Sequence, residues 1–287
     1  MGTMVQTYEL DESDFRGERL KNSEVDLIGN NEALNITRDD IILEIHRKYL
    51  EAGCDIIETN TFSANSISQA DYGLQELARE MNVKAAEIAR RAADEAEARD
   101  GMKRFVAGAV GPTNKTLSSS ENVDDPSFRS ISFEELRDSY FEQVQALVEG
   151  GVDIILIETV FDVLNAKAAI VATLDAFREK ALEIPIMVSV TFIQEGSNRT
   201  VFGQTVDAFW ATVAHANPIS VGINCGLGAS LMGSNLSELA RISNTFTHCY
   251  PNAGLPNPLS RTGFDESPEI TAREVGKLAA SGLINIV

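Results

Sequence analysis

The sequence predicts an α/β protein in which a parallel sheet is built from repeated strand–helix units. Short apolar runs recur along the chain, helix-forming stretches separate them, and no change in composition marks a linker between domains. Strands that are apolar at nearly every position are typical of a parallel sheet with both faces covered. The alternating order indicates the same architecture. We therefore expect one domain that spans residues 1–287.

Seven runs are predicted as strands because they are short, apolar and rich in β-branched residues. They are residues 55–60, 105–111, 153–159, 186–192, 220–225, 247–252 and 283–287. Six stretches of helix-forming residues lie between or beside them. These are residues 39–52, 74–99, 132–150, 163–180, 237–245 and 267–280. Seven strands are one short of a (β/α)8 barrel, which takes about 250 residues. An open doubly wound sheet is the alternative, although no Gly-x-Gly-x-x-Gly follows a strand.

The composition excludes several classes of function. The chain has 24 basic and 43 acidic residues, and its formal charge of −19 argues against nucleic acid or an anionic membrane as a partner. Only three cysteines occur, which rules out a disulfide scaffold and favours a reducing cytoplasm. No apolar run approaches the roughly 20 residues of a membrane span, and the first residues lack a signal-peptide pattern. We expect a cytoplasmic protein.

Polar residues recur where the predicted strands end. In a barrel, the carboxyl ends of the strands form the catalytic face. A single polar residue there can simply cap the next helix, but polar residues at the ends of five strands favour a functional site. The residues are Asn60, Thr61, Thr113, Asn114, Glu158, Thr159, Asn224, Cys225 and Asn252.

Two of these residues carry chemistry. Cys225 lies at a strand end and is either a reactive thiol or a buried small apolar residue. Because no Cys-x-x-Cys or His-x-x-x-His pair occurs, a complete zinc site cannot be assembled from the residues alone. Glu158 ends an apolar run, where a carboxylate is costly unless it meets a cation or a donor. It is a ligand for a substrate ammonium, a general base or a partner in a salt bridge.

The remaining histidines and cysteines are predicted to be structural. His46 falls in the middle of a helix, His248 lies within a strand, and His215 lies toward the face opposite the site. Cys54 and Cys249 are expected in or beside the core.

Five segments resemble the homocysteine S-methyltransferase family, in particular the N-terminal homocysteine-binding domain of cobalamin-dependent methionine synthases. They are residues 52–62, 108–114, 156–167, 222–225 and 251–257. The long run from Glu158 (ETVFDVLNAKAA) and residues 124–129 look most similar to the cobalamin-dependent branch. Betaine- or S-methylmethionine-dependent enzymes share the shorter motifs and are one alternative. A non-catalytic binding module is another.

The resemblance implies a (β/α)8 barrel with a zinc ion, held by three cysteine thiolates, that activates the homocysteine sulfur. That thiolate takes the methyl group of methylcobalamin, with folate- and cobalamin-binding domains on the same polypeptide. Matched position by position, Cys225 and Asn252 are metal ligands, and Glu158 receives the substrate amino group. The resemblance also assigns pocket or substrate contacts to Asn60, Thr61, Asn114, Gly2 and Thr3.

The chain departs from the family pattern at both ends. The family motif Asp-Gly-Ala-Met-Gly-Thr-Met begins before Met1, and Gly-Gly-Cys-Cys-Gly would follow Val287. We therefore expect a barrel that lacks its first strand and the end of its last βα unit. Two of the three zinc cysteines would be missing, so we expect this chain to be inactive alone.

Overall fold

The structure, a computed structural model, describes residues 1–257, 259–260 and 263–287. Its strands are β1 (Ile56–Glu58), β2 (Phe105–Val110), β3 (Ile154–Val160), β4 (Ile186–Val190), β5 (Ser220–Gly228) and β6 (Phe246–Asn252). Its helices are α1 (Gly2–Gln6), α2 (Glu12–Arg16), α3 (Leu34–Thr37), α4 (Asp39–Glu51), α5 (Ser66–Gln69), α6 (Ala78–Asp100), α7 (Phe133–Glu149), α8 (Val163–Lys180), α9 (Val206–Val213), α10 (Ala229–Ile242) and α11 (Pro268–Ala280). Short 3-10 helices cover Asn31–Ala33, Ala70–Tyr72, Gln75–Leu77 and Ala214–Ala216.

Within the described residues, six strands lie side by side in chain order from β1 to β6. The pairs β1–β2, β4–β5 and β5–β6 are parallel. The amide of Asp153 donates to the carbonyl of Val106, and the amide of Thr191 donates to that of Val160. Sequential order is that of a barrel and not of a doubly wound sheet, in which the order reverses at a switch point. The α/β class is confirmed, and closure into eight strands stays a prediction.

The seventh predicted strand, residues 283–287, is wrong as a full strand. Only Ile286 forms a parallel bridge, with His248 of β6. The amide of Asn285 donates to the carbonyl of Thr247 at 2.8 Å. The side-chain oxygen of Asn285 also accepts from the amide of Thr247 at 2.9 Å. The Asn285 side chain thus accepts the hydrogen bond of the Thr247 amide, which a backbone carbonyl of a neighbouring strand would otherwise accept. The ladder of backbone hydrogen bonds therefore does not extend.

The helix predictions differ mainly where glycine or short length hides the periodicity. Helix α8 has the predicted bounds, and α11 begins at Pro268 after the N-cap Ser267. Helix α10 begins at Ala229, eight residues before the predicted start, because Gly233 interrupts the pattern of helix formers. Helix α9 was not predicted, although Thr205 caps it by accepting from the amide of Ala208.

The chain separates into two compact units, each with its own core. The first comprises Met1–Lys115, Glu134–Leu156 and Val171–Ile184. In it, α6 packs against α4 and β2 through a row of buried alanines, which let the backbones approach closely. These alanines are Ala85, Ala86, Ala89, Ala92, Ala93 and Ala96.

The second unit comprises Thr116–Phe133, Ile157–Ile170 and Pro185–Val287. In it, α10 covers β5 and β6 with the buried side chains of Met232, Leu236 and Leu239. The unit holds the carboxyl end of β3 together with β4, β5 and β6. The described part of the chain contains no helix with the length and apolar character needed to cross a bilayer.

The burial of His248 in the second unit can be tested through the pH dependence of the free energy of unfolding. Burial lowers the pKa of His248 from 6.5 to about 3. The unfolded chain protonates this histidine near pH 6.5, whereas the folded chain keeps it neutral, so the free energy of unfolding falls as pH drops from 6.5 toward 3. In His248→Gln, the loss of stability between pH 7.5 and pH 5 is expected to be smaller by about 2 kcal/mol, measured by urea unfolding.

The control is His215→Gln, because His215 is exposed on the 3-10 helix Ala214–Ala216. That variant is expected to keep the pH slope of the unsubstituted chain. His46→Gln offers a second test, since burial also lowers the pKa of His46 to about 3. Identical pH slopes in all three variants would contradict the prediction.

Candidate functional site

Four adjacent strands of the second unit bring polar side chains together near their carboxyl ends. Glu158 and Thr159 come from β3, Ser189 from β4, Asn224 from β5 and Tyr250 from β6. Hydrogen bonds connect these five residues into one network, which we call the strand-end network. The first four are buried. A buried polar network of this kind fixes its members only when each one finds partners.

Thr159 has a left-handed backbone, with φ of +57°. This conformation is unfavourable for a β-branched residue. The side chain of Asn224 holds it: the amide of Thr159 donates to Asn224 Oδ1 at 3.0 Å, and Asn224 Nδ2 donates to Thr159 Oγ1 at 2.7 Å. Asn224 therefore clamps both the backbone and the side chain of the residue that follows Glu158.

Glu158 is 4% exposed, so its carboxylate depends on donors from the protein. Three groups donate to Oε2: Asn224 Nδ2 at 3.3 Å, Thr159 Oγ1 at 3.2 Å and the hydroxyl of Tyr250 at 3.4 Å. They come from three different strands. The carboxylate is thus oriented from several directions, as a group that recognises a cation requires.

Ser189 and Tyr250 were not predicted from the sequence. Ser189 Oγ donates to Asn224 Oδ1 at 2.7 Å and lies 2.8 Å from the Tyr250 hydroxyl. The ring of Tyr250 stacks on that of His248, with centroids 5.8 Å apart and planes 11° apart. Ser189 is the one polar residue of the buried strand β4 (IMVSV), and this was the available signal.

Cys225 lies next to the strand-end network and is half-buried. Its φ is +57°, that of Gly226 is +70°, and the register between β5 and β6 shifts between Asn224 and Gly228. Strained backbone of this kind is concentrated at functional sites. The thiol therefore lies on a bulge and not in the core.

The other two cysteines are unsuitable as ligands. Burial raises the pKa of the Cys249 thiol to about 12, so it stays protonated at neutral pH. Burial also raises the pKa of Cys54, which precedes β1 in the first unit. Both were predicted to be structural, and the environment of Cys249 in the core confirms this for that residue.

Asn252, the second predicted metal ligand, is the last residue of β6 and pairs with Gly228 of β5. Among the described residues, no group of three or more histidine, cysteine, aspartate or glutamate side chains could hold a metal ion. Zinc sites in proteins have three or four protein ligands. One thiol and one amide oxygen therefore do not complete a zinc site, and we derive no chemical step through a metal.

The predicted pocket residues of the first unit are engaged by neighbours. Asn60 Nδ2 donates to the carbonyl of Asn31 at 2.7 Å and to Asn35 Oδ1 at 3.1 Å. Thr61 Oγ1 donates to the carbonyl of Ala109 at 2.7 Å. Both side chains are buried, so their contacts are those of residues that hold loops in place.

The other three predicted substrate contacts also lie in the first unit. Asn114 is exposed, and its Nδ2 donates to Asp71 Oδ2 at 2.6 Å. Gly2 and Thr3 lie in the first turn of α1, not at the end of a strand. A Cβ on Gly2 would contact Asn31 Nδ2 at 3.5 Å, which places Gly2 beside the segment that Asn60 binds.

Gly226 tests the requirement for the bulge beside Cys225. A Cβ at this position would lie 2.5 Å from the carbonyl oxygen of Phe192 and 2.9 Å from Thr191 Oγ1. With a positive φ as well, Gly226→Ala is expected to lower the free energy of unfolding by about 2–4 kcal/mol, measured by urea unfolding. The cost comes from displacing Thr191 and Phe192, which follow β4.

Gly233→Ala is the matched control. It lies in α10, and the nearest atom to its Cβ would be Leu278 Cδ2 at 3.8 Å. Alanine there is expected to stabilise the protein by about 0.5–1 kcal/mol. Equal effects of the two substitutions would show that the close approach at Gly226 carries no special constraint.

Comparisons with known proteins agree with this fold. The family model described as homocysteine S-methyltransferase matches residues 1–287. The oxidized form of the homocysteine methyltransferase MmuM from Escherichia coli matches with a TM-score of 0.75 and 19% identity, over 100% of this chain and 87% of that one. Its metallated form matches with a TM-score of 0.70 and 20% identity, over 98% and 93%. The structural matches support the shared fold, and the family model assigns the chain to the homocysteine S-methyltransferase family.

Proposed function

We propose that this chain binds homocysteine and belongs to an enzyme that methylates its sulfur to give methionine. The observation that carries the proposal is the buried carboxylate of Glu158, which three donors orient at the strand ends beside the bulge of Cys225. Homocysteine carries an ammonium group and a soft sulfur. A carboxylate recognises the ammonium, and a zinc centre with thiolate ligands recognises the sulfur.

The strand-end network assigns a role to each group of the second unit. Glu158 accepts the substrate ammonium, and Asn224 and Thr159 hold the carboxylate in place. Cys225 would provide one thiolate of a zinc centre, and Asn252 would be a further ligand in the absence of substrate.

The family resemblance also supports substrate contacts by residues of the first unit, which we propose for Gly2, Thr3, Asn60, Thr61 and Asn114. The bonds described above engage Asn60, Thr61 and Asn114 with neighbouring residues.

The methyl donor is proposed to be methylcobalamin, carried by a separate domain, with a folate-binding domain on the same polypeptide in the cytoplasm. The run ETVFDVLNAKAA supports this branch of the family. The choice of donor is tested by incubating the chain and zinc with homocysteine and, separately, methylcobalamin, betaine or S-methylmethionine. Methionine formed from either of the last two would replace the cobalamin proposal. With this chain alone we expect no methionine from any donor, because Cys225 and Asn252 do not complete a zinc centre.

Substrate recognition is tested with Glu158→Gln. Removal of the charge is expected to weaken homocysteine binding about 10- to 100-fold, measured by isothermal titration calorimetry, because a charge-assisted hydrogen bond is lost. The control is Glu195→Gln, which removes a charge from an exposed residue of the same unit. Absence of homocysteine binding, or equal affinities for the two variants, would contradict the proposal.

Zinc binding gives an independent test. The chain is expected to bind zinc only weakly, and Cys225→Ser is expected to remove that binding, measured by competition with a chromophoric chelator. Cys54→Ser is the control and is expected to have no effect. Tight stoichiometric zinc binding that survives Cys225→Ser would show that this thiol is not a ligand.

A further inference from the structure

We propose that Tyr250 is a positioning residue whose hydroxyl, together with that of Ser189, holds Glu158 ready for the substrate ammonium. The inference rests on the proposed function and adds to it two residues that recognise homocysteine indirectly. It is carried by the geometry of β4 and β6, whose hydroxyls add two further groups to the clamp between Asn224 and Thr159.

The position of the Tyr250 hydroxyl is fixed by the ring that carries it. That ring stacks on His248, which is fully buried and bonded through Nδ1 to Ser220 Oγ. Gly222 lies so close to His248 that any Cβ would overlap with the imidazole. Because the imidazole is buried, hydrogen-bonded and closely packed, it supports the phenol ring, whose hydroxyl lies between Ser189 and Glu158.

Hydrogen counting then shows what the pair of hydroxyls can do. Ser189 has one proton and two acceptors within reach, Asn224 Oδ1 at 2.7 Å and the Tyr250 oxygen at 2.8 Å. Asn224 Oδ1 also accepts from the amide of Thr159, so it keeps a donor when the Ser189 proton turns away. Two arrangements of the hydroxyl protons therefore satisfy these hydrogen-bonding groups while the heavy atoms stay in place.

In the first arrangement, Ser189 donates to Asn224 and Tyr250 donates to Ser189. In the second, Ser189 donates to Tyr250 and the phenol donates to Glu158 Oε2, which lies 3.4 Å away. Two hydroxyl rotations separate the arrangements: two hydrogen bonds are exchanged for two others, and no covalent bond breaks. The second arrangement supplies Glu158 with a donor before the substrate binds, and the first releases the carboxylate to the ammonium.

Pre-organisation of this kind reduces the cost of reorienting a charged group when substrate binds. Glu158 keeps its direction in both arrangements because Asn224 and Thr159 hold Oε2 throughout. The hydroxyl pair therefore affects the binding of ligands that carry the amino group. Ligands without that group do not need the exchange.

The test measures the affinity of the full chain for two ligands by isothermal titration calorimetry. They are L-homocysteine and 4-mercaptobutanoate, which lacks only the amino group. Tyr250→Phe is expected to weaken homocysteine binding about three- to tenfold and to leave 4-mercaptobutanoate within twofold. Tyr250→Leu is expected to weaken homocysteine at least as much. Tyr49→Phe, on α4 of the first unit, is the control and is expected to change neither affinity.

Ser189→Ala extends the test to the partner hydroxyl and serves if a Tyr250 variant fails to fold, which thermal melting would reveal. Because the two hydroxyls act as one unit, the double variant Ser189→Ala with Tyr250→Phe is expected to bind homocysteine no more weakly than the weaker single variant. In a Glu158→Gln background, Tyr250→Phe is expected to have no further effect.

Three results would overturn the inference while leaving the proposed function standing. They are unchanged homocysteine affinity in both Tyr250→Phe and Ser189→Ala, an equal loss for the two ligands, and additive losses in the double variant. An unsubstituted chain that does not bind homocysteine would instead overturn the proposed function, and this inference with it.

Discussion

The clamp that Asn224 places on Thr159 is the interaction on which the rest of the site depends. A threonine with φ of +57° costs about 1–2 kcal/mol relative to ordinary backbone. The two bonds from the Asn224 side chain offset that cost and also link β5 to the end of β3 across β4. Loss of the amide would leave the buried Thr159 N–H without its 3.0 Å acceptor. Glu158 would then lose the donor Asn224 Nδ2, and Thr159, which carries a second donor, would lose its clamp.

The same constraint explains why strain at Thr159 is accompanied by strain at Cys225. Asn224 must face β3 to reach Thr159, and the next residue, Cys225, has a positive φ in turn. Gly226 follows because the carbonyl of Phe192 lies too close to permit a side chain. The clamp therefore ties the carboxylate of Glu158 on β3 to the thiol-bearing bulge of β5. Ser189 lies on β4, between β3 and β5, and its hydroxyl donates to Asn224 Oδ1.

The sequence was most informative where one physical requirement dominates. β3 is buried at every position, so its apolar run predicted a strand in a parallel sheet, and the capped, uninterrupted pattern of α8 predicted its bounds. Glu158 and Asn224 could be found because polar residues at strand ends are unusual. Tyr250 could not, because its role comes from stacking on His248 and from a partner 61 residues away in the chain. Such contacts leave no periodic pattern.

The strong negative charge of the chain makes the local donors around Glu158 more important. A formal charge of −19 disfavours any further buried anion. At physiological ionic strength, however, screening limits the range over which surface charges act to about 8 Å. Hydrogen bonds within 3.4 Å therefore determine how the carboxylate is held. The acidic surface favours the approach of cations in general, whereas a carboxylate with fixed direction distinguishes an ammonium at one position from any other cation. Under the proposed function, specificity for an amino acid would follow from the direction of the Glu158 carboxylate, which the strand-end network fixes.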